Sequence, residues 1–436
     1  MPERRVEVAI VGGGFSGTMV AANLARRGIG SVVIEANGRA GQGTAFSTTE
    51  PAHLLNIRAQ NMGAWADAPD DFVRQSGAEP GSYAERRQFG RYLRSILDDA
   101  VGSGNTDVLE GRAIAAERQN GSWRLTLQDG GAIESDALVL AIGNQPPAPL
   151  RGLEGTGDLL IDDPWSERAK RAVEDAAERQ LDVLILGASL TMVDVALSLA
   201  SAGHKGKILA LSRRGKIPLG QAVHDDAPVE ADELPAPAVR SVAKWLRERA
   251  PKVGWRAAVD ALRPHSHRLW QAFPEEEKRR FLRFGRPWWD IHRHRIAPQV
   301  ASQVETLISS GRLEVVAGRL LKARVDGGSI EITYRRRGHE KADDPHRFAY
   351  VFNCTGPLGD VTGTKEPILQ QLLAGGEVRP DELSIGLMVD ERSRASERLW
   401  ALGTLTKGRY WEMIAVPDIR HQAAAVADDI AQELGR

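Results

Sequence analysis

The chain has 436 residues, of which 26% are charged, and its formal net charge is −1. Without a net positive field, it is not expected to bind nucleic acid or an anionic membrane. Its single cysteine, Cys354, excludes an intrachain disulfide and a cysteine-rich zinc site, and it favours a reducing compartment. The length leaves room for two or three domains at about 150 residues each.

The first residues lead directly into an apolar strand, so no signal segment is predicted. No uninterrupted apolar run approaches the roughly 20 residues that a membrane-spanning helix needs. We therefore expect a soluble, cytoplasmic protein without a membrane partner.

A glycine-rich turn opens the first chemical motif. Residues 6–11 read as a buried strand, Gly12, Gly14 and Gly17 follow, an apolar-periodic helix extends to about residue 27, and a second strand ends at Glu35. This is a complete dinucleotide-binding fingerprint, in which the glycines admit a pyrophosphate and the helix N-terminus supplies N–H donors. Glu35 would accept hydrogen bonds from a ribose diol and repel a 2′-phosphate, so FAD or NAD is expected here.

Two loops without clean periodicity come next, at residues 38–48 and 51–69. Their glycine, asparagine, histidine and aromatic residues suit the lining of a cofactor site. In residues 113–142, apolar and polar residues then alternate, which predicts a hairpin-like meander that ends in a buried strand. Gly143 and the proline-rich residues after it interrupt the pattern and predict a crossing between domains.

A second, less regular glycine turn follows a strand over residues 181–186. Gly187 keeps its place, but Ser189 and Met192 replace the second and third glycines. The helix after it has apolar spacing at Val193, Ala196 and Ala200, and Gly203 ends it.

The next strand ends in Ser212, Arg213 and Arg214, where the first unit has Glu35. A hydroxyl and two guanidinium groups without an acid suit a 2′-phosphate, so NADPH is expected here. NADH remains the alternative cofactor, because two exposed arginines at a strand end are also ordinary.

Residues 216–300 are rich in arginine and tryptophan and predict a helical insertion. Within it, Trp288, Trp289 and Asp290 precede His292 and the basic residues 293–295. Histidines two residues apart point in different directions, so no metal site is expected. The segment forms either a basic and aromatic wall for an anion or ordinary packing. Strands resume after the insertion, a buried strand reaches residue 356, and an amphipathic helix closes the chain from about Asp418.

These motifs and their order resemble the flavoproteins with two dinucleotide-binding domains, and in particular bacterial FAD/NAD(P)-binding proteins related to flavin-containing and N-hydroxylating monooxygenases. The resemblance covers nearly the whole chain and is carried by GGGFSG, GTAFS, HLLNIRAQNM, LAIGNQPP, LGASLTMVDVALSL with SRRG, WWDIHRHRIAP, FNCTGPLGD and AVPDIRHQ. It implies an α/β fold with two Rossmann-like domains. The FAD-binding domain would occupy residues 1–145 and 357–436. The NAD(P)H-binding domain would occupy residues 146–356 and would contain a helical insertion at about residues 216–300.

The resemblance also implies roles for individual residues. In FAD, the pyrophosphate would be contacted by Gly12, Gly14, Phe15, Ser16 and Gly17, and the adenosine by Glu35, Ala36 and Ala113. The flavin would be lined by Thr44, Ala45, His53, Leu54, Asn56, Asn61 and Met62, and the ribityl chain would be contacted by Gly403 and Thr404. Two turns would run beside the cofactors, one at Ala141–Gly143 and one at Cys354, Thr355 and Gly356. Around the second nucleotide the expected residues are Gly187, Ser189, Leu190, Thr191, Ser212, Arg213 and Arg214. Asn61 is the candidate catalytic residue at the flavin's reactive edge.

The implied activity is a monooxygenase in which NADPH reduces FAD and a flavin hydroperoxide oxygenates a small substrate at nitrogen or sulfur. Its expected partners are that substrate and dioxygen. A single cysteine excludes the redox cysteine pair of the related disulfide reductases. The alternatives are an NAD(P)H-dependent flavin reductase or dehydrogenase without oxygenation, and a non-catalytic FAD-containing interaction module. The sequence leaves the oligomeric state open.

Overall fold

The first part of the chain alternates strands and helices, as its motifs predict. The computed structural model describes residues 4–436, and residues 1–3 of the predicted FAD-binding domain lie outside the described residues. The elements up to residue 140 are β1 (Arg4–Val11), α1 (Phe15–Arg26), β2 (Ser31–Glu35), α2 (Gly43–Phe46), α3 (Asp71–Ser76), α4 (Arg86–Gly102), β3 (Thr106–Glu110), β4 (Ala113–Gln119), β5 (Ser122–Leu127) and β6 (Ala132–Leu140).

The middle part contains a second alternating unit and the predicted run of helices. Its elements are β7 (Leu160–Ile161), α5 (Glu167–Glu178), β8 (Val183–Leu186), α6 (Leu190–Ser201), β9 (Ile208–Ser212), α7 (Val239–Val253), α8 (Trp255–Ala261), α9 (Ser266–Ala272), α10 (Glu275–Arg280), α11 (Arg286–Arg293), α12 (Pro298–Ser309), β10 (Leu313–Asp326), β11 (Ser329–Arg336), β12 (His346–Phe348) and β13 (Tyr350–Asn353). A π-helical turn, Phe281–Gly285, joins α10 to α11.

The last part of the chain returns to the first sheet. It contains α13 (Pro367–Ala374), β14 (Arg394–Ser396), β15 (Leu399–Ala401) and α14 (Val416–Glu433). The closing helix therefore begins two residues before the predicted Asp418, because Pro417 is well suited to the first turn of a helix.

The first sheet has the strand order β14-β15-β6-β1-β2-β3, and β5 joins the β4–β5 hairpin to β6. β1 lies parallel to both neighbours, with Val11 paired to Ile34 on β2 and to Leu140 on β6. β2 and β3 thus lie on one side of β1, and β6, β15 and β14 lie on the other, so the strand order reverses at β1. Ligands of open α/β sheets bind in the crevice at such a switch point, beyond the carboxyl ends of the strands.

The second sheet repeats this arrangement in the order β12-β11-β10-β9-β8-β13-β7. β8 is its switch strand, because Leu186 pairs with Leu211 on β9 and with Asn353 on β13, both in parallel. Together the two sheets confirm the predicted α/β class with two Rossmann-like units. Helices α7 to α11 between β9 and β10 form the expected helical insertion.

Each sheet is covered on both faces by apolar residues. On β1, Val8 and Ile10 pack beneath α1, α4 and α14, whereas Ala9 and Val11 face the β4–β5 hairpin and α13. On β8, Val183 and Ile185 pack beneath α5, α6 and α12, and Leu184 faces the β10–β11 hairpin. Alternate residues of a strand point to opposite faces, so a strand covered on both faces is apolar throughout.

Candidate functional site

The first glycine turn joins β1 to α1 and is packed too tightly for side chains at two positions. Gly12 has a φ of +104°, and a Cβ there would lie 2.4 Å from the carbonyl oxygen of Ala141. A Cβ on Gly17 would lie 1.9 Å from the carbonyl oxygen of Gly12. The fold itself therefore requires glycine at both positions.

Gly14 is different, because the fold does not require it to be glycine. Its φ is −75°, and the nearest atom to a Cβ there would be the Cα of Gly43 at 3.6 Å. A Cβ at Gly14 would make an ordinary contact with Gly43, and the residue is half-buried, so without a side chain its backbone can be approached closely by a ligand. This is the property that a pyrophosphate site needs at the second glycine.

The N-terminus of α1 offers hydrogen-bond donors to such a ligand. Among the described residues no side chain caps this helix, and the Thr18 N–H makes its first backbone bond, to the Gly14 carbonyl at 2.9 Å. The N–H groups of Phe15, Ser16 and Gly17 precede that bond and have no acceptor within the helix. These donors and the positive end of the helix dipole fit an anion.

Glu35 stands beside the turn at the end of β2 and is 7% exposed. Its Oε2 accepts a hydrogen bond from the Gly13 N–H at 2.8 Å, and its Oε1 accepts one from the Asn37 N–H at 3.0 Å. A carboxylate has about four lone-pair positions, so two remain for the hydroxyls of a ribose. The carboxylate is thus held in the place where the fingerprint needs an acceptor.

The loop after β2 folds back over the turn. The Gly41 N–H donates to the Gly13 carbonyl at 2.8 Å, and a Cβ on Gly43 would lie 2.8 Å from the Cα of Gly14. Thr44 and Ala45 follow Gly43 in α2 and are exposed. The structure therefore brings these two predicted residues to the edge of the glycine turn.

The returning segment approaches the same turn from the other side. Gly403 has a φ of +62°, and a Cβ there would lie 3.1 Å from the Ser16 hydroxyl. The Gly403 N–H donates to the Gln422 side chain on α14 at 2.8 Å, which fixes this segment against the final helix. Residues predicted from distant parts of the sequence thus meet at the carboxyl edge of the first sheet.

A small hollow adjoins this edge, lined in part by Gly143, Thr404 and Lys407. Burial, assisted by the nearby charge of Arg286, lowers the pKa of Lys407 to about 8. The amine can therefore gain or lose a proton close to neutral pH.

The adenosine-side residues lie around Glu35. Ala36 follows it and is exposed, and Ala113 is buried at the start of β4. The Gly111 N–H donates to the Glu35 carbonyl at 3.0 Å, so the link between β3 and β4 lies against the end of β2.

His53, which is predicted to line the flavin, lies at the contact between the first unit and α6. Its Nδ1 is 2.9 Å from the Thr48 hydroxyl, and its Nε2 is 3.0 Å from the Asp194 carbonyl oxygen and 3.1 Å from the Ser198 hydroxyl. Both ring nitrogens thus have protein partners, and the ring is 4% exposed. His53 connects the two units and does not offer a free nitrogen to a ligand.

A buried ion pair reinforces this contact. The two terminal nitrogens of Arg86 donate to the two carboxylate oxygens of Asp194 at 2.9 and 3.0 Å, and Nε donates to the Leu54 carbonyl at 3.1 Å. The sequence did not predict this pair, because its members are 108 positions apart.

The remaining predicted residues of the flavin lining are divided between surface and core. Asn61 is exposed at the end of a short 3₁₀ turn, Ala59–Asn61, whereas Met62 is 2% exposed in the core of the first unit. The Asn56 carbonyl accepts a hydrogen bond from Gln221 at 3.3 Å and so faces the segment that leads into the insertion.

The second glycine turn repeats the clamp of the first. Gly187 has a φ of +121°, and a Cβ there would lie 2.0 Å from the carbonyl oxygen of Cys354. The Gly187 N–H donates to the Leu211 carbonyl at 2.9 Å, just as the Gly12 N–H donates to the Ile34 carbonyl. Gly187 therefore corresponds to Gly12, and Cys354 corresponds to Ala141.

Cys354 contacts the turn through its backbone alone. Its side chain is 3% exposed within the core of the second unit, and burial raises the pKa of the thiol well above its ordinary range. A buried thiol of this kind is unreactive. Thr355 is exposed, and Gly356 follows it with a φ of +96° and open space beside it.

The N-terminus of α6 also lacks a side-chain cap among the described residues. Ser189 is exposed at its start, Leu190 and Thr191 are half-buried in its first turn, and Met192 is fully buried where the first unit has Gly17. The free N–H groups of this turn again fit an anion.

The rim of the second turn has no carboxylate at the position of Glu35. Ser212 occupies that position, and its hydroxyl accepts a hydrogen bond from the Gly215 N–H at 2.9 Å. Arg213 is exposed, and Arg214 donates to the Arg283 carbonyl at 3.0 Å. Both guanidinium groups retain donors for a phosphate.

The basic segment of the insertion is used mainly for internal ion pairs. Arg293 donates to Glu412 at 2.9 Å, and Arg295 donates to Asp260 at 2.5 and 2.6 Å. Burial tends to raise the pKa of Glu412, but the Arg293 charge helps to hold it below its ordinary value. The packing alternative thus describes these two arginines.

The aromatic part of the same segment lines a cavity of about 680 Å³. The cavity lies among α7, α8, α9, the π-helical turn and α11, and Trp411 of the returning segment completes its wall. Trp411 carries no sequence motif, so the sequence did not indicate that it belongs to this site.

The comparisons with known proteins identify the first unit. Residues 9–145 match the family model described as FAD-NAD(P)-binding. These residues form an FAD/NAD(P)-binding domain. No curated protein matches the chain.

Solved structures extend the likeness to the whole fold that contains the FAD/NAD(P)-binding domain. L-lysine 6-monooxygenase from Pseudomonas syringae is 15% identical, with a TM-score of 0.68 over 98% of this chain and 100% of that one. The ornithine N-hydroxylase of Kutzneria sp. 744 is 14% identical, with a TM-score of 0.66 over 98% and 99%. The bacillithiol disulfide reductase of Staphylococcus aureus is 15% identical, with a TM-score of 0.60 over 98% and 99%. At these identities the likeness establishes the fold.

Residues 4–436 lack two kinds of feature, a membrane-spanning helix and a cluster of metal ligands. None of the helices there is both long and apolar enough to span a bilayer. The same residues contain no group of three or more His, Cys, Asp and Glu side chains arranged to hold a metal ion.

Proposed function

We propose that the chain is an FAD- and NADPH-dependent oxidoreductase, and that it acts as a monooxygenase on a nucleophilic nitrogen or sulfur of a small molecule. In this proposal residues 1–145 and 357–436 bind FAD, and residues 146–356 bind NADPH. The division follows the membership of the two sheets, since β14 and β15 pair with the first sheet and β7 to β13 form the second.

One observation carries the proposal: among the described residues, two helix N-termini without a side-chain cap each follow a glycine turn that packs against the end of a neighbouring parallel strand. An enzyme that passes a hydride from one dinucleotide to another needs two such pyrophosphate sites. The family match of residues 9–145 supports FAD at the first of them.

At the first site, the backbone at Gly14 and the free N–H groups of α1 would hold the pyrophosphate. Glu35 would accept the ribose hydroxyls, and Thr44, Ala45, Gly403 and Thr404 would flank the remainder of FAD. Bound FAD accepts two electrons as a hydride and delivers them to an acceptor. Asn61, whose amide is exposed, is the proposed polar contact near the reactive edge of the flavin.

At the second site, Ser212, Arg213 and Arg214 favour NADPH over NADH. A carboxylate at the position of Ser212 would repel a 2′-phosphate, and the structure has a hydroxyl there. Guanidinium groups bind phosphate through charge-assisted hydrogen bonds. An NADP⁺-bound neighbour, the Kutzneria ornithine N-hydroxylase, supports this choice of nucleotide.

The acceptor of the electrons separates the monooxygenase from a reductase. Reductases of disulfides and monooxygenases both occur among the structural neighbours. The single, buried Cys354 cannot form an intrachain dithiol relay, which favours dioxygen. In the overall reaction NADPH and a proton supply two electrons and two hydrogens, one oxygen atom enters the substrate, and the other leaves as water.

The test is a two-stage absorbance experiment on FAD-loaded protein. NADPH added without dioxygen should bleach the flavin, and dioxygen admitted afterwards should restore its colour. Bleaching that an organic acceptor reverses, but that dioxygen does not, would support a reductase or dehydrogenase. A flavin that NADPH does not bleach would support the non-catalytic module.

A further inference from the structure

The helical insertion contains a cavity that its own side chains do not fill. Its volume is about 680 Å³, within the range of about 300–1,000 Å³ that is typical of pockets for small organic molecules. Five tryptophans contribute to its wall: Trp255, Trp270, Trp288, Trp289 and Trp411. Such a wall favours an apolar occupant, because a polar group placed there would lose its hydrogen bonds to water.

Helix α7 covers the cavity with an apolar face that is only partly buried. Val239, Val242, Leu246 and Ala250 lie along one side of α7 and line the cavity. In a packed helix such a stripe is buried, but none of the residues of α7 is buried here. Phe284 and Trp288 on the opposite wall are 53% and 55% exposed. An apolar ligand would cover all of these surfaces at once.

Lys216 and Arg283 lie against two exposed aromatic residues of the cavity wall, and with Arg247 they form what is here called its rim. The Lys216 ammonium lies 3.4 Å from the centre of the Trp288 ring, and the Arg283 guanidinium lies 5.0 Å from that of Phe284. Arg247 of α7 contributes from the other wall. Within the described part of the chain none of the three forms an ion pair with an acidic side chain. The rim is therefore complementary to an anion.

The cavity touches both proposed cofactor units. Trp411 lies in the loop between the Gly403–Thr406 turn and α14, and Trp270 donates to the Gly408 carbonyl of that loop at 2.8 Å. On the other side, Arg214 donates to the carbonyl of Arg283 in the π-helical turn. A pocket in contact with both units is placed where a substrate would meet the cofactors.

We propose that this cavity is the substrate pocket, and that the substrate is an amphipathic organic anion. Its aromatic or aliphatic body would lie among the insertion helices and its acidic group at the rim of Lys216, Arg247 and Arg283. The assignment of the ligand as a substrate rests on the proposed function. A free basic amino acid, with two charged ends and little apolar surface, would leave these walls uncovered.

Anilinonaphthalene sulfonate, an aromatic anion, is the probe for the test. Its fluorescence should report one saturable site on the oxidised, FAD-loaded protein. Val242→Trp fills the cavity from α7 and should weaken binding more than about tenfold, equivalent to about 1.4 kcal/mol. Lys244→Trp places the same side chain on the solvent face of α7 and should bind the probe as the native protein does. Melting temperatures and FAD absorbance establish that both variants are folded. Equal affinity for the probe in the two variants would contradict the assignment of this cavity as the ligand pocket.

A second pair of measurements tests the charge. Arg247→Gln should weaken binding of the anionic probe about threefold, as expected for the loss of an exposed ion pair. It should not change the affinity for the uncharged probe N-phenyl-naphthylamine. The same loss for both probes, or for neither, would contradict an anionic substrate.

The visible spectrum of FAD separates this inference from the proposed function. Saturating probe should shift that spectrum, and an unchanged spectrum would contradict a pocket beside the flavin. If the probe shows the expected pattern but NADPH does not bleach the flavin, the ligand pocket stands and the enzymatic proposal fails. If NADPH bleaches the flavin but the variants bind equally, the enzyme stands and this pocket assignment fails.

Discussion

The two glycine turns share one backbone clamp but differ in the chemistry at its rim. In both, the first glycine has a positive φ, packs against the carbonyl of the residue that follows one parallel neighbouring strand, and donates its N–H to the neighbouring strand on the other side. That clamp is the part that a strand-turn-helix unit needs in order to fold. Gly12 and Gly187 are therefore retained for reasons internal to the protein.

The differences lie where a nucleotide would make contact. Glu35 is held by two N–H donors beside the first turn, whereas Ser212 and two arginines stand beside the second. Gly14 has no side chain, whereas Ser189 has one at the same point. We therefore expect that the residues beside each turn, and not the shared backbone contacts, decide which dinucleotide it binds.

The largest expected effect comes from closing the space beside Gly14. Gly14→Val should fold, because its φ is ordinary and its Cβ would lie at an ordinary contact distance, 3.6 Å, from the nearest protein atom, the Cα of Gly43, but it should weaken FAD binding more than about 100-fold. The measurement is FAD retained per chain by absorbance. Gly81→Val, at an exposed glycine with open surroundings, is the control and should remain yellow. A yellow Gly14→Val protein would break the distinction between scaffold and ligand glycines.

A smaller effect is expected from the acceptor of the first turn. Glu35→Gln replaces one of the two accepting oxygens by an NH₂ group, which cannot accept from the Gly13 or the Asn37 N–H, and it loses the charge that strengthens a bond to ribose. FAD affinity should fall about 10- to 100-fold, the range for hydrogen bonds to a charged group. The corresponding Ser212→Ala change in the second turn should leave FAD affinity unchanged. Equal losses in the two variants would show that the turns do not bind separate nucleotides.

The arginines of the second rim should affect one nucleotide selectively. Arg213→Ala and Arg214→Ala should each weaken NADPH binding about tenfold, because each removes charge-assisted hydrogen bonds to the 2′-phosphate. NADH, which lacks that phosphate, should be unaffected by Arg213→Ala. Saturation of the anaerobic bleaching rate with each nucleotide provides the measurement. Parallel losses for NADPH and NADH would contradict the phosphate assignment.

The smallest effect is expected where the two clamps differ only in a buried side chain. Ala141 and Cys354 both contact their glycine through the backbone, and burial raises the pKa of the Cys354 thiol. Iodoacetamide should therefore label the unfolded chain but not the native protein, as mass spectrometry can show. Rapid labelling of native protein would indicate a reactive thiol and strengthen the reductase alternative.

The sequence predicts the local parts of this account well. The glycines, the buried strands and the correspondence between Glu35 and Ser212 follow from spacing, because a strand-turn-helix unit is specified by neighbouring residues. Helix α4 was not predicted, although Phe89, Leu93 and Ile96 have helical spacing and are buried. That segment carries no motif, and its function is to pack on α1.

Contacts between distant segments could not be predicted in this way. Glu412 meets Arg293 across 119 positions, and the position of His53 depends on how α6 packs against a loop of the first unit. The cavity likewise arises from the arrangement of five helical segments and one returning loop. Spacing along the chain contains no information about such arrangements, so the side chains were recognisable but their partners were not.

The central claim is that one chain holds two dinucleotides, one at each glycine turn, and passes a hydride between them. Anaerobic stopped-flow mixing of FAD-loaded protein with saturating NADPH tests it most directly. The account predicts complete bleaching at a rate that does not change when the protein is diluted, because both nucleotides occupy the same chain. A flavin that remains oxidised, or a protein that cannot take up FAD, would contradict it.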